Sequence, residues 1–293
     1  MLSNALYNAA NALYGTFGAG KRLDEKSGAV LIIGGSSDGL GIELCSTLAI
    51  DDKVYVINID SRDMELILNF KDAAVVAKYY RFIPCRDLSN ADLVLEALNQ
   101  VKNLKLPITL FINNVQVGFR TIYSNNFSIG YRGIPRLQQF ASANVTNIMI
   151  ATKFFLNEIV PQTEKSTHGN VNFYIVNLTT VLTLDAPEYG MEYVSSKAAL
   201  NQFHDGLTSE LAVKSTRKRI KTLLIYLPHA PNGHAWEMMS TDLCEQVVEC
   251  LKMGRRGCAM LRAEDETASG DLHGKIRNGY RYRAGGLKSK WTT

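Results

Sequence analysis

Short apolar runs of strand length alternate with helix-like stretches along the 293 residues, which predicts an α/β fold: a doubly wound parallel sheet with helices on both faces, in a single domain. A glycine-rich turn joining the first apolar run to the first amphipathic one points the same way. Composition agrees, since 46% hydrophobic and 20% charged residues suffice to bury one large core.

The first strand is Ala29-Val30-Leu31-Ile32-Ile33, followed by the turn Gly34-Gly35-Ser36-Ser37-Asp38-Gly39-Leu40-Gly41 and a helix from Ile42 to Ala49. Strand, glycine loop and helix in this order form a Rossmann-like unit, because backbone N–H groups and a helix N-terminus then face a dinucleotide pyrophosphate. Gly35, Gly39 and Gly41 permit the tight turn, the close backbone approach and the close helix packing, while Ser37, Asp38 and Leu40 complete the loop. The glycines alone are also compatible with an ordinary strand-to-helix turn.

The second strand, Val54 to Asp60, ends on an acid about twenty to twenty-five residues beyond the glycines, where a ribose 2′-hydroxyl would sit. Asp60 there favours NAD over NADP, whereas Arg62, two residues on, offers a partner for a 2′-phosphate. Asp60 also suits an N-cap for a helix beginning near Met64. The third strand leads into Cys85-Arg86-Asp87-Leu88-Ser89, and the fourth is Leu110-Phe111-Ile112-Asn113-Asn114-Val115-Gln116. Asn172 to Thr180 gives the fifth strand, Leu224 to Pro228 the sixth, and Gly257 to Leu261 the last.

Between the fifth and sixth strands, Tyr193-Val194-Ser195-Ser196-Lys197 places a tyrosine and a lysine four apart on one helix face. A lysine ammonium beside a phenol lowers the phenol pKa from about 10 toward neutrality, making the tyrosine a usable acid or base. The spacing alone equally describes a tyrosine packed along a lysine stem.

Together these features resemble the short-chain dehydrogenase/reductase family over roughly residues 28 to 263. The glycine loop matches the family's T-G-x-x-x-G-x-G with Gly34 in place of threonine, and Asp87 with Leu88 matches its adenine-contacting position. Asn113 and Asn114 stand where the family has N-N-A-G, and Pro228 where its P-G follows the sixth strand. The resemblance implies a catalytic set of Asn144, Thr180, Tyr193 and Lys197, with threonine replacing serine. Tyr193 would donate a proton to a ketone while nicotinamide delivers hydride. Lys197 would hold the nicotinamide ribose, Thr180 would polarise the carbonyl, and Asn144 would hold a connecting water. Thr180 and Asn144 are also readable as a strand-end residue and a helix-kink residue. The Ser-Asp-Gly-Leu-Gly form of the loop resembles the branch of hydroxysteroid dehydrogenases and 3-ketoacyl-CoA reductases, implying a lipophilic substrate.

Val115, Gln116 and His229 depart from the family pattern: Gln116 is expected to crowd or cover the adenosine ribose, and His229 replaces a glycine near the nicotinamide. Gly34 lacks the hydroxyl that ties the loop to the asparagine strand. The alternative function is therefore a non-catalytic member of the same fold with a binding or assembly role. A short lid, Ala230 to about Met239, implies an open site, and Gly118 to Ala141 with Phe119, Tyr123, Phe127 and Tyr131 is a candidate pocket wall or surface loop.

The five cysteines and five histidines show no metal-ligand spacing, so no metal is expected, and reduced thiols suggest a cytoplasmic protein. Residues 1–27 read as an amphipathic N-terminal helix carrying Leu2, Leu6, Leu13 and Phe17, packed on the domain or resting weakly on a membrane surface. Residues 264–293 read as a basic, flexible tail after the domain at 28–263, and much of the net charge of +4 lies toward this end. No nucleic-acid-reading module accompanies that charge. The family resemblance implies homodimers or homotetramers through the helices bearing Asn144 and Tyr193.

Overall fold

The computed structural model describes residues 28–36, 38–63, 78–117, 134–168, 171–184, 190–213, 219–228 and 235–261. The N-terminal segment 1–27, the tail 264–293, Ser37, His229 and residues 118–133 of the aromatic segment lie outside the described residues.

Seven strands form one parallel sheet: β1 (Ala29–Ile33), β2 (Val56–Asp60), β3 (Tyr80–Pro84), β4 (Ile108–Asn113), β5 (Phe173–Thr180), β6 (Ile220–Leu227) and β7 (Gly257–Met260), in the order β3-β2-β1-β4-β5-β6-β7. The chain winds outward from β1 to β3, then returns to β4 on the other side of β1. That reversal opens a crevice beyond the C-terminal ends of β1 and β4, where doubly wound sheets bind ligands. Pro84 ends the edge strand β3, where its missing N–H leaves no gap in a central ladder.

Alternate residues of the strands serve two cores. Val30 and Ile32 join Leu44, Leu48, Leu243 and Val247 on one face, whereas Leu31 and Ile33 join Val94, Ile148, Phe155 and Leu200 on the other. Covering both faces explains why the inner strands read as unbroken apolar runs. The first face is covered by α1 (Gly39–Ser46) and α7 (Ala235–Lys252). The second is covered by α2 (Ala91–Asn103), α6 (Met191–Val213) and a rod formed by α3 (Ile134–Ala141), α4 (Asn147–Phe154) and α5 (Val160–Ser166).

Five-residue π-helical turns, Ser142–Thr146 and Phe155–Ile159, join the three parts of that rod. Pro161 accounts for the second, since it offers no N–H to the preceding turn and its ring crowds the helical carbonyl behind it. The first contains Asn144. Two expectations move: the aromatic segment is helical from Ile134, and α7 begins at Ala235 rather than near Ser240, which shortens the lid segment. Ala, Glu and Met dominate the first turn of α7 and favour helix strongly enough to extend it.

Candidate active site

The glycine loop is fastened by polar side chains on β2 and just past the end of β4. Gly34 adopts φ +84°, and an added Cβ would lie 2.9 Å from the Asn114 carbonyl oxygen, so glycine suits this position better than threonine. The tie that the missing hydroxyl would make is supplied instead by Asn114, whose Nδ2 donates to the Gly34 carbonyl at 2.8 Å. A Cβ on Gly35 would meet Asn58 Oδ1 at 2.5 Å and Cys45 Sγ at 2.6 Å, and one on Gly41 would meet the Gly34 carbonyl at 2.6 Å. Asp38 caps α1 by accepting from the Gly41 amide at 2.6 Å, with Leu40 buried behind it.

Asn58 and Asp60 of β2 hold the other side. Asn58 Oδ1 accepts from Gly35 N at 3.0 Å, and its Nδ2 donates to Ser36 Oγ and Tyr80 Oη. Asp60 is buried, with Oδ2 accepting from Ser36 N at 2.8 Å and Oδ1 from Ser61 N at 2.6 Å. It thus anchors the loop at the position read as a ribose partner, while Arg62 is exposed and its carbonyl accepts from Ser36 Oγ. Asn58 was detectable as a polar residue inside an apolar strand, although its partners were not. Asp87 lies at the surface, where its carboxylate accepts from Ser89 N and Oγ, and the Leu88 carbonyl accepts from Asn147 Nδ2.

At the end of β4, Asn113 Oδ1 accepts from Val115 N at 3.1 Å and its Nδ2 donates to Asn177 Oδ1, which continues to His204 through Asn177 Nδ2. Val115, Gln116 and Val117 meet the catalytic candidates. Lys197 Nζ donates to the Val115 carbonyl at 2.6 Å and to the Leu178 carbonyl at 3.0 Å. Tyr193 Oη donates to Gln116 Oε1 at 2.5 Å. Asn144, in the π-helical turn, accepts from Val117 N at 3.1 Å and donates to the Val117 carbonyl at 2.8 Å and to Ser196 Oγ at 3.0 Å. The structure therefore brings Asn144, Tyr193 and Lys197 onto one three-residue segment. Gln116 meets the phenol, a contact across the fold that the sequence did not announce.

Thr180 ends β5 opposite Leu227, with Pro228 buried just beyond. Its Oγ1 accepts from Leu182 N at 3.3 Å, capping a short 3-10 turn, and the hydroxyl proton remains a donor. This is the strand-end role, and it does not consume the hydroxyl's donor capacity.

Burial sets the charge states. Tyr193 is 1% exposed and Lys197 0%. Burial, then the charge of Asp38, pushes the Tyr193 phenol well above its usual 10. The expected lowering by Lys197 is absent in this state, because desolvation dominates and the ammonium, 5.9 Å from the ring centroid, is held by two carbonyls. Burial brings Lys197 down to about 7 against the pull of Asp38, and burial lifts Asp38 to about 6 against hydrogen bonds from Gly41 and Asn114. Among the described residues no group of His, Cys, Asp and Glu is placed to hold a metal.

The family model described as short chain dehydrogenase matches residues 29–226. The chain belongs to the short-chain dehydrogenase family. It is 34% identical over 275 residues to the oxidoreductase-like protein SRL4 of Saccharomyces cerevisiae, covering 92% of this chain and 96% of that protein. It is 30% identical to the uncharacterized oxidoreductase TDA5 of the same yeast, covering 79% of this chain and 68% of that one. Among solved structures, a short chain dehydrogenase from Burkholderia cenocepacia in complex with NADP shares the fold at a TM-score of 0.61 and 18% identity, over 92% of this chain and all of that one. In a family defined by this sheet and loop, the reversal point between β1 and β4 is the place to look for ligand binding.

Proposed function

We propose that this short-chain dehydrogenase is a nicotinamide-dependent oxidoreductase that interconverts an alcohol and a ketone, with NAD(H) preferred and Tyr193 as the acid and base. One observation carries the reading: the Tyr193 hydroxyl, on the face it shares with Lys197, already donates to a carbonyl-type oxygen, Gln116 Oε1. A ketone oxygen in that place would accept the same proton.

The crevice fits a dinucleotide. Asn114 Oδ1 and Gln116 Nε2 are buried polar atoms without partners among the described residues, an acceptor and a donor on the β4 side of the loop. Gly35, Ser37, Asp38, Gly39, Leu40 and Gly41 would receive the pyrophosphate at the α1 N-terminus, Asp60 and Arg62 the adenosine ribose, and Asp87 and Leu88 the adenine. Asn113, Asn114 and Pro228 would border the nicotinamide half. Asp60 adds negative charge beside the ribose and so opposes a 2′-phosphate, the basis for preferring NAD(H) over NADP(H). The neighbour bound to NADP supports a nicotinamide cofactor without deciding between them.

When bound, a nicotinamide supplies the electron pair and hydrogen that reach the carbonyl carbon. Tyr193 hands its proton to the carbonyl oxygen, and Lys197 stabilises the phenolate left behind. Thr180 offers its remaining O–H to the same oxygen. Asn144 keeps the Val117 backbone in place and, with a water, links Lys197 to solvent. A lipophilic substrate follows from the loop's resemblance to lipid-processing branches. Homo-oligomers through the α3–α5 rod and α6 are proposed from the family resemblance alone. No described helix is long and apolar enough to cross a membrane, and peripheral contact through residues 1–27 or the basic tail remains a separate proposal.

The second reading, a non-catalytic binding protein, is favoured by the same Gln116 contact, because the side chain occupies the place a substrate oxygen needs. Tyr193→Phe separates the two. Under the oxidoreductase reading, turnover with NADH and a ketone panel falls by about 10²–10⁴-fold, while the NADH dissociation constant changes little. Full biological activity in that variant would favour the binding protein.

A further inference from the structure

Gln116 is held where it can do more than fill space. Its backbone neighbours are fixed on both sides, Val115 by Lys197 and Val117 by the two-pronged Asn144 amide. Its Cα therefore sits between two anchored peptide units. One end of the amide accepts the Tyr193 proton, and the other end, Nε2, is buried with no acceptor among the described residues. An unpaired buried donor is costly, so this orientation leaves part of the amide's capacity unused. Turning the amide over would replace Oε1 by Nε2 beside the phenolic oxygen and convert Gln116 from acceptor to donor.

We propose that Gln116 is a positioning residue for Tyr193: its amide accepts the phenol proton in the free protein and, turned over, donates Nε2–H to the phenolic oxygen while that proton goes to the substrate. The inference rests on the oxidoreductase reading of the site. In the resting orientation Gln116 holds the hydroxyl protonated and aimed; in the reacting one it releases the O–H and stabilises the phenolate. The proton moves from Tyr193 Oη to the carbonyl oxygen, and no atom of Gln116 is transferred. A donor is useful here because Lys197 already spends two of its hydrogens on the Val115 and Leu178 carbonyls. The Asp38 charge at the α1 cap raises the phenol and Lys197 on α6 lies 5.9 Å from its ring centroid, while Arg136 of the rod stands over the Phe140 ring and Glu192 is adjacent in the chain. Phe140, Leu182 and Val194 are its apolar neighbours.

The test follows Tyr193 itself. Protein carrying tyrosine labelled with carbon-13 at Cζ is titrated by NMR with and without NAD+, the Tyr193 signal being the one lost in Tyr193→Phe. Gln116→Met keeps the length and removes the donor; Gln116→Glu keeps the shape and adds an acceptor. With NAD+ bound, the Tyr193 ionisation midpoint is expected to rise by about one pH unit in Gln116→Met, a tenfold change in ionisation constant, and further in Gln116→Glu. The pH profile of kcat should move with it. A midpoint that is unchanged or lower in Gln116→Met, or a phenol protonated to the alkaline limit in both proteins, overturns the proposal. Failure to bind NAD+ would instead count against the oxidoreductase reading; without NAD+ the resting contact favours the protonated phenol, so the midpoint should fall in Gln116→Met, and a midpoint that does not fall overturns the resting orientation.

Discussion

Burial turns Asp38 and Lys197 into opposed titrating groups at the mouth of the crevice. Asp38 in the folded protein titrates at about 6 against 3.8 for a free carboxyl, so its contribution to stability is full below about 3.8 and is lost as pH rises through about 6. Lys197 titrates at about 7 against 10.5, so its contribution is present above about 10.5 and is lost as pH falls through about 7. Asp38→Asn keeps an acceptor for the Gly41 amide and removes the carboxylate. It is expected to stabilise the protein by on the order of 1 kcal/mol near pH 8, and by little near pH 4, a figure kept low because the side chain is only partly buried. It should also lower the pH at which Lys197 titrates, since the carboxylate favours the ammonium. Urea unfolding at the two pH values measures the first effect, and equal stabilisation at both would contradict it.

The rod α3–α5 shows how one element sets up the site. Its first π-helical turn carries Asn144, which satisfies both backbone groups of Val117 and thereby holds the segment that meets Tyr193 and Lys197. Asn144→Ala leaves that N–H and C=O without these partners and is expected to cost about 1–3 kcal/mol in urea unfolding. Asn144→Asp, which keeps the acceptor for Val117 N–H and loses the donor, should be intermediate or worse as its charge is buried. A cost below a few tenths of a kcal/mol for Asn144→Ala would mean the clamp is incidental. This clamp marks a limit of the sequence. A continuous apolar run betrays a strand, and the glycine spacing betrays the loop, because both are local patterns. A polar contact between Asn144 and Val117, or between Gln116 and Tyr193, joins distant positions with no periodicity to reveal it, so Gln116 reads only as a bulky departure. The start of α7 was misplaced because residues 230 to 239 were read as a lid, although Trp236 and Met239 continue the helical apolar spacing of Leu243 and Val247.

At the scale of the molecule, the reversal of strand order between β1 and β4 gathers the glycine loop, Asp60, the Asn113–Val117 segment and the Tyr193 face at one end of the sheet. That convergence was legible in outline, since every ordered match fell at the C-terminal end of a strand or on the helix that follows. The inward turn of Asp60 toward Ser36 was not, and it bears on cofactor choice, because the carboxylate anchors the loop as well as standing beside the ribose position. Thermal unfolding of the purified protein with NADH and with NADPH, joined to calorimetric titration, tests the central claim most directly. NADH at about one hundred times its dissociation constant should stabilise the protein by about 2.7 kcal/mol, and NADPH should need a higher concentration for the same effect. No stabilisation and no binding heat from either nucleotide would contradict the oxidoreductase account and leave the fold as a binding scaffold closed by Gln116.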